Sequence, residues 1–337
     1  MATLDIFNDD AFRVSQLSQT ITDIPDVPTQ LGDEGLFTEY GINTPTMMIE
    51  RRGKSLSLVP TAPRGAPGEP VALTGRKLIP VAAVHLPQSG SVLADEVYGV
   101  REFGTESTLR QVQSLVREKL VVMREKMDLT LEHMRVGALK GTVLDADGST
   151  VLWNLYDIFG MTQVTHYFDI ATANSASDVK QKCILLKRAI REKLGGRAFR
   201  RVRVKCSEGF MDKFIGHDKM KAAYELWQAG AFNRQDQTEG DFEFAGVVFQ
   251  VYSGGTSAGD FIADGEAYAY PEGVPRMFQT AFAPADYMET VNTMGIPYYA
   301  KQERMKFDRG VELESQSNPI MLNTLPEAVI KCVVAAS

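Results

Sequence analysis

One apolar stripe constrains this chain more than anything else in it. Leu109, Val112, Val116, Leu120, Met123, Met127, Leu131, Met134 and Ala138 follow one another in steps of three or four. The stripe covers 29 residues in eight steps, a period close to the 3.6 of a straight α-helix. At about 1.5 Å per residue, such a helix is roughly 50 Å long. Ordinary globular helices are about a third of that. The helix also follows about a hundred residues that show no pattern able to build a core. This combination predicts a subunit that completes its packing on neighbouring copies.

The composition sets outer limits. With 337 residues the chain has room for about two domains, and 44% apolar against 23% charged residues predicts a folded protein. The longest apolar run, Leu78 to Leu86, is broken by Pro80 and His85, so no membrane span is expected. Met1-Ala2-Thr3-Leu4-Asp5 has neither a basic nor an apolar region, which predicts no signal peptide. Cys183, Cys206 and Cys332 are widely spaced and form no CxxC, which fits reduced thiols in a cytosol-like compartment.

A net charge of −7 argues against a general nucleic-acid binder. The charge is unevenly distributed. Residues 1–50 hold nine acids and one base, Arg13, whereas residues 177–206 hold eleven bases against Asp178 and Glu192. These are either two solvated faces or a complementary pair that meets between subunits. The small contribution of exposed ion pairs favours solvated faces.

Nine of the fifteen prolines lie in the first 87 residues, and none lies between Pro87 and Pro271. Residues 1–45 read as an arm with a short helix from Asn8 to Leu17. Residues 46–86 read as a long hairpin, with an outgoing strand Thr46–Val59, a Pro- and Gly-rich tip at 60–70, and a return strand Val71–Leu86. An isolated hairpin is marginal in water, so this one needs cover from elsewhere. The long helix is expected to start near Thr108, where Thr108 and Gln111 can form a capping box, and to stop at Gly141. It is expected to pack on a sheet. Arg124/Asp128 and Glu132/Arg135 read as exposed pairs on it.

Beyond the helix, Thr142–Trp153 predicts a hairpin turning at Asp147-Gly148. An α/β pattern follows: a helix from Ser177 to Leu194, then a strand in which Val202, Val204 and Cys206 alternate with Arg201, Arg203 and Lys205. Helical stretches are expected at Ser207–Ile215 and Asp218–Ala229, and strands at Phe242–Tyr252, Phe261–Tyr270, Val311–Glu314 and Ala328–Val334.

Signals for chemistry are poor. His85, His133, His166 and His217 share no metal spacing, and Glu132-His133 lacks the second histidine of HExxH. No G-x-S-x-G elbow occurs. Ser253–Asp260 is glycine-rich but lacks a following Lys-Ser/Thr, so it reads as a strand connection. Asp145-Ala-Asp147-Gly148 hints at a calcium loop, but the twelfth position is Tyr156, and the turn reading is preferred. Met123, Met127 and Met134 read as core, and Tyr268 and Tyr270 as packing residues. No catalytic, cofactor-binding or metal residue is therefore assigned, and no cofactor is expected.

Thr130-x-Glu132-x-x-Arg135-x-Gly137-Ala138-Leu139-Lys140-Gly141 runs straight into Val143-Leu144-Asp145-x-Asp147-Gly148. Pro63-Arg64-Gly65-x-Pro67-Gly68 and Val100-Arg101-x-Phe103-Gly104 precede it. Ala283-Pro284-Ala285-Asp286, Glu289, Asn292-Thr293-x-Gly295-x-Pro297, Tyr299-Ala300-Lys301 and Arg309-Gly310-Val311-Glu312-Leu313-Glu314-x-x-Ser317-Asn318-Pro319 follow it. Each is mostly turn chemistry, but taken together, in this order over residues 45 to 335, they resemble the major capsid proteins of lambda-type tailed bacteriophages.

The resemblance implies an α+β, Hong Kong 97-type capsid fold. Its parts would be an N-terminal arm (1–45), an E-loop (46–90) lying over the adjacent subunit, a P-domain (91–169 and 301–337) with a spine helix at about 107–140, and an A-domain (170–300). It implies a non-enzymatic head protein that assembles with itself as hexamers and pentamers into an icosahedral shell around double-stranded DNA. Scaffold, portal and cement proteins would be separate partners, and the virion capsid the destination, with assembly in the host cytoplasm. Lys54 and Lys77 are the E-loop lysines that a covalent crosslink of the kind found in some relatives would use. Two readings stand beside it: an α/β enzyme with residues 46–86 as a lid, which lacks a nucleophile, base or metal set, and a module gripping nucleic acid through residues 177–206, which offers no aromatic series beyond Phe199.

Overall fold

The computed structural model describes residues 13–24, 29–51, 77–97, 108–173, 177–229, 241–256 and 259–335. Along the chain run α1 (Val14–Thr22), α2 (Gln30–Asp33), β1 (Thr38–Gly41), β2 (Thr46–Arg51), β3 (Lys77–Ala82), β4 (Leu86–Leu93), α3 (Ala94–Val97) and α4 (Thr108–Lys140). Next come β5 (Thr142–Leu144), β6 (Val151–Asn154), α5 (Leu155–Phe159), β7 (Val164–Tyr167), α6 (Val179–Lys193), β8 (Arg201–Cys206), α7 (Glu208–Gly216) and α8 (Asp218–Ala229). The remainder is β9 (Phe242–Phe244), β10 (Val247–Val251), β11 (Gly255–Thr256), β12 (Gly259–Asp260), β13 (Glu266–Glu272), β14 (Phe278–Phe282), β15 (Tyr299–Arg304), β16 (Gly310–Ser317), β17 (Pro319–Asn323) and β18 (Ile330–Val333). The chain divides into two compact units.

The first unit gathers residues 1–47, 81–135 and 279–321. Within it α4 buries Val116, Leu120, Met123, Met127, Leu131 and Met134, the stripe read from the sequence. The helix packs on a sheet, as its narrow stripe requires. The sheet is β15-β16-β4, antiparallel throughout, with Tyr299 opposite Gln316 and Val311 opposite Val92. A Cβ on Gly90 of β4 would lie 2.5 Å from the Met123 methyl, so backbone and helix approach closely there. A second sheet, β1-β14-β17, starts with β1 parallel to β14, Thr38 opposite Gln279.

The second unit gathers residues 48–80, 136–278 and 322–337. Its centre is a six-stranded sheet in the order β7-β18-β13-β8-β10-β9. β8 and β10 are parallel, as are β18 and β7, and β13 runs antiparallel between the two pairs. One face is apolar: Phe214 of α7 lies 4.3 Å from Phe249 of β10 between ring centres, and Phe168 meets Phe210 edge-on at 5.6 Å. α6 buries Val179, Cys183, Leu186 and Ile190. The last five residues of α4 also belong here and end at Gly141, whose φ of +89° only glycine adopts readily. A Cβ at Gly141 would sit 2.2 Å from the Tyr156 ring.

The structure corrects several expectations. The arm helix is α1, Val14–Thr22, which overlaps the expected span up to the buried Leu17 and runs on past it to bury Ser18 and Ile21; residues 1–12 lie outside the described residues. The hairpin is described only at its base, where β2 pairs with β3, and residues 52–76 lie outside the described residues. The return strand is two strands. The chain breaks at Ala83–His85, where the His85 ring is 2.8 Å from the Asn318 side-chain oxygen. β4 then joins β16, and its Pro87 is tolerated because β4 lies at the edge of its sheet. The strand expected at Phe261–Tyr270 is shifted to Glu266–Glu272. β1 was not expected, because none of its residues is fully buried and its pattern shows no apolar alternation.

Candidate functional site

The arm is held to the long helix by charged side chains that the periodicity placed on the outside. Arg124 and Asp128 are only 5% and 6% exposed. The Arg124 Nε donates to both Asp128 oxygens, at 2.8 and 3.0 Å, and a terminal nitrogen donates 2.9 Å to the Ile21 carbonyl at the end of α1. The guanidinium carbon lies 3.6 Å from the Tyr298 ring centre, and the Tyr298 hydroxyl donates to Asp128 Oδ1 at 2.5 Å. Burial first, and the Asp128 carboxylate second, push the Tyr298 phenol pKa up, so it is a fixed donor.

One turn further on, Glu132 accepts from the Leu31 N–H at 2.7 Å and the Gly32 N–H at 3.2 Å, at the start of α2. A carboxylate suits these unsatisfied helix-start donors. Arg135 donates to Glu39 at 2.7 Å and lies 3.5 Å from Glu132. The expectation of exposed pairs at 124/128 and 132/135 is thus overturned. A helix that receives an arm on its second face buries residues that an apolar stripe alone assigns to water. The recurrence of charges of both signs on that face was a signal, but solvated helix faces share it.

The basic stretch divides in two. On β8 every cation is engaged on the polar face of the sheet: Arg201 with Glu272, Arg203 with Asp241 and Gln250, and Lys205, fully buried, with Gln250. Lys331 pairs with Glu266 on the same face. Lys140 donates to the Phe261 carbonyl at 3.1 Å, and burial lowers its pKa. On α6, Lys182 pairs with Asp169 and Lys187 donates to the Ala245 carbonyl. The side chains of Lys180, Arg188, Arg191, Lys193 and Arg197 have no ion pair or hydrogen bond among the described residues.

The motifs weighed for chemistry fall on packing and turns. Asp147 accepts from the backbone N–H groups of Ser149 and Thr150 and from both hydroxyls, closing the hairpin turn. Ser253–Asp260 includes the small pair β11–β12. Tyr268 and Tyr270 are buried in β13. Cys183, Cys206 and Cys332 are buried and unbridged, and burial pushes the Cys183 thiol up to about 12. Among the described residues, no three His, Cys, Asp or Glu side chains converge on a metal-sized site. Lys54 lies outside the described residues.

Apolar side chains are left open in both units. In the first, Met288, Val291, Met294 and Ile296 are exposed, and the segment that carries them walls a groove of about 920 Å³ against α1. Phe307, at the turn between β15 and β16, is 88% exposed with a φ of +62°. A bulky residue in the left-handed region is strained, and the Arg309 guanidinium, 5.7 Å from the ring centre, leaves most of the ring open to water. Val122 and Leu129 stand seven residues apart on the outer face of α4. In the second unit, Met48 on β2 and Leu78 on β3 are each 62% exposed.

The relatives of this chain are shell proteins. The profile of the family described as phage major capsid protein E matches residues 13–334. The major capsid protein of Salmonella phage Felix O1 is 24% identical over 351 residues, covering 95% of both chains. That of Pseudomonas phage KPP10 is 24% identical over 338 residues, covering 95% of this chain and 96% of that one. Among solved structures, the capsid of Ralstonia phage GP4 superposes with a TM-score of 0.53 at 11% identity, covering 100% of this chain and 99% of that one. The mature capsid of bacteriophage PhiM1 gives 0.51 at 12% identity, covering 92% and 88%. The chain belongs to the phage major capsid protein E family and has the α+β, Hong Kong 97-type capsid fold.

Proposed function

We infer that this chain is the major head protein of a tailed phage, assembling with copies of itself as hexamers and pentamers into the icosahedral shell that encloses double-stranded DNA. Family membership over residues 13–334 carries the reading. The exposed apolar side chains support it physically. Met48, Leu78, Val122, Leu129, Met294 and Phe307 are side chains whose burial stabilises only when another surface meets them. Covering them contributes about 25 cal/mol per Å² of apolar area, summed over many contacts around a closed ring.

In this reading residues 1–45 are the arm and 46–90 the E-loop. Residues 91–169 with 301–337 form the P-domain, and 170–300 the A-domain. The protein is structural and catalyses no reaction. Scaffold, portal and cement proteins are separate chains, and the assembled shell resides in the virion after forming in the host cytoplasm. Deleting Leu56–Ala72 tests the E-loop role. The subunit should stay folded by circular dichroism and remain soluble, yet form no closed shells in electron micrographs. Closed shells in normal yield from the deleted chain would overturn the assignment.

A further inference from the structure

We propose that the flank of α6 carrying Lys180, Arg188 and Arg191, continued by Arg197, is a contact surface for the phosphates of the enclosed DNA, which places this flank on the inside of the shell. The inference rests on the shell reading and deepens it by naming the surface that meets the genome.

α6 is anchored through Val179, Cys183, Leu186 and Ile190, which fixes what its other sides present. Counted at 100° per residue, Lys180 and Arg191 fall beside that buried stripe and Arg188 nearly opposite it, so the three share one exposed side of the helix. They span about 17 Å at about 1.5 Å per residue. All three are exposed, as is Arg197 just past the helix. The acids nearest in sequence are Asp178, which caps the helix start by accepting from the Gln181 N–H, and Glu192.

A chain of net charge −7 whose described residues leave such a strip unpaired presents it to something anionic. Two acids of its own arm are already engaged. Glu39 is committed to Arg135, and Asp33 accepts from the Thr29 N–H. The β8 cations, which could have enlarged the strip, are consumed inside the sheet. What remains is a short, mostly arginine surface, with Gln181 and Glu192 exposed beside Arg188. That is chemistry for a phosphate backbone in any sequence, strong enough to hold and weak enough to release.

The test is amine acetylation of intact particles, with Lys180 read by peptide mass spectrometry in three states: unassembled subunit, emptied mature shells and DNA-filled mature shells. Phosphate contact predicts that Lys180 reacts about three-fold or more slowly in filled than in emptied shells, and that salt raises its reactivity in filled shells only. The variant R188E/R191E should assemble normally and lose the protection of Lys180 in filled shells. Equal protection in filled and emptied shells, with a reactive Lys180 in the free subunit, would identify a neighbouring subunit as the partner and overturn the proposal. Equal reactivity in all three states would overturn it too. Absence of shells altogether would instead sink the function on which it rests.

Discussion

Replacing Arg124 by alanine should unfold the arm from the long helix at a cost far above that of a surface ion pair. The side chain holds two bonds to Asp128 at 2.8 and 3.0 Å, one to the Ile21 carbonyl at 2.9 Å, and a face contact with Tyr298 at 3.6 Å. Its loss strips the Asp128 carboxylate, 6% exposed, of its guanidinium partner while the Tyr298 hydroxyl still donates to it. Removing one partner of a buried pair costs about 3–5 kcal/mol, whereas an exposed pair is worth about 0–1. At about 2–4 °C per kcal/mol for a unit of this size, the first unit should melt roughly 10 °C lower. Urea unfolding of the unassembled subunit gives the free energy, and hydrogen exchange over residues 13–34 reports the arm. Replacing both members, as R124M/D128L, should recover most of the loss, because two apolar side chains leave no orphaned charge. A single-variant loss under 1 kcal/mol, with exchange in the arm unchanged, would refute the buried clamp.

Three further outcomes follow from the same coordinates. Gly295→Ala should destabilise by about 1–3 kcal/mol in urea, since its Cβ would meet the Phe282 carbonyl oxygen at 2.0 Å, and backbone cannot swing aside as a side chain can. Met294→Lys with Phe307→Asp should leave subunit stability within about 0.5 kcal/mol but abolish shells in micrographs, since both positions are open in the isolated chain. Stability of the second unit should fall as pH rises from 9 towards 12. Burial raises the Cys183 thiol from 9.0 to about 12, so its contribution is whole below pH 9 and is withdrawn above it, roughly 4 kcal/mol by pH 12 at 1.36 per unit. A melt in which Cys183→Ala shows the same alkaline slope as the parent chain would contradict that cause.

Periodic segments and the tight Asp147-Gly148 hairpin were legible in the sequence, and long-range pairings were not. The stripe from Leu109 to Ala138 fixed the long helix, and Asp218–Ala229 was read to the residue. β4 escaped because Pro87 and Gly90 deny a strand unless its edge position and the Met123 methyl are known. β1 escaped because its pairing with β14 joins residues 241 positions apart, which no local pattern encodes. The arm clamp failed for a related reason. Arg124, Asp128, Glu132 and Arg135 sit at spacings that suit a solvated face, and only the arrival of Ile21, Leu31 and Tyr298 makes that face interior. The basic run likewise split only when β8 was seen to spend its cations on Glu272, Asp241 and Gln250. The motifs that carried the family resemblance include turn residues such as Gly141 and Gly148, whose positive φ the backbone requires.

The most direct test is electron microscopy of the concentrated, purified chain, carried to a reconstruction of whatever particle forms. The account predicts closed icosahedral shells in which Met48, Leu78, Val122 and Leu129 are covered by neighbouring copies. A population of monomers or dimers at every concentration and salt, or shells in which those four side chains stay open to water, would contradict it.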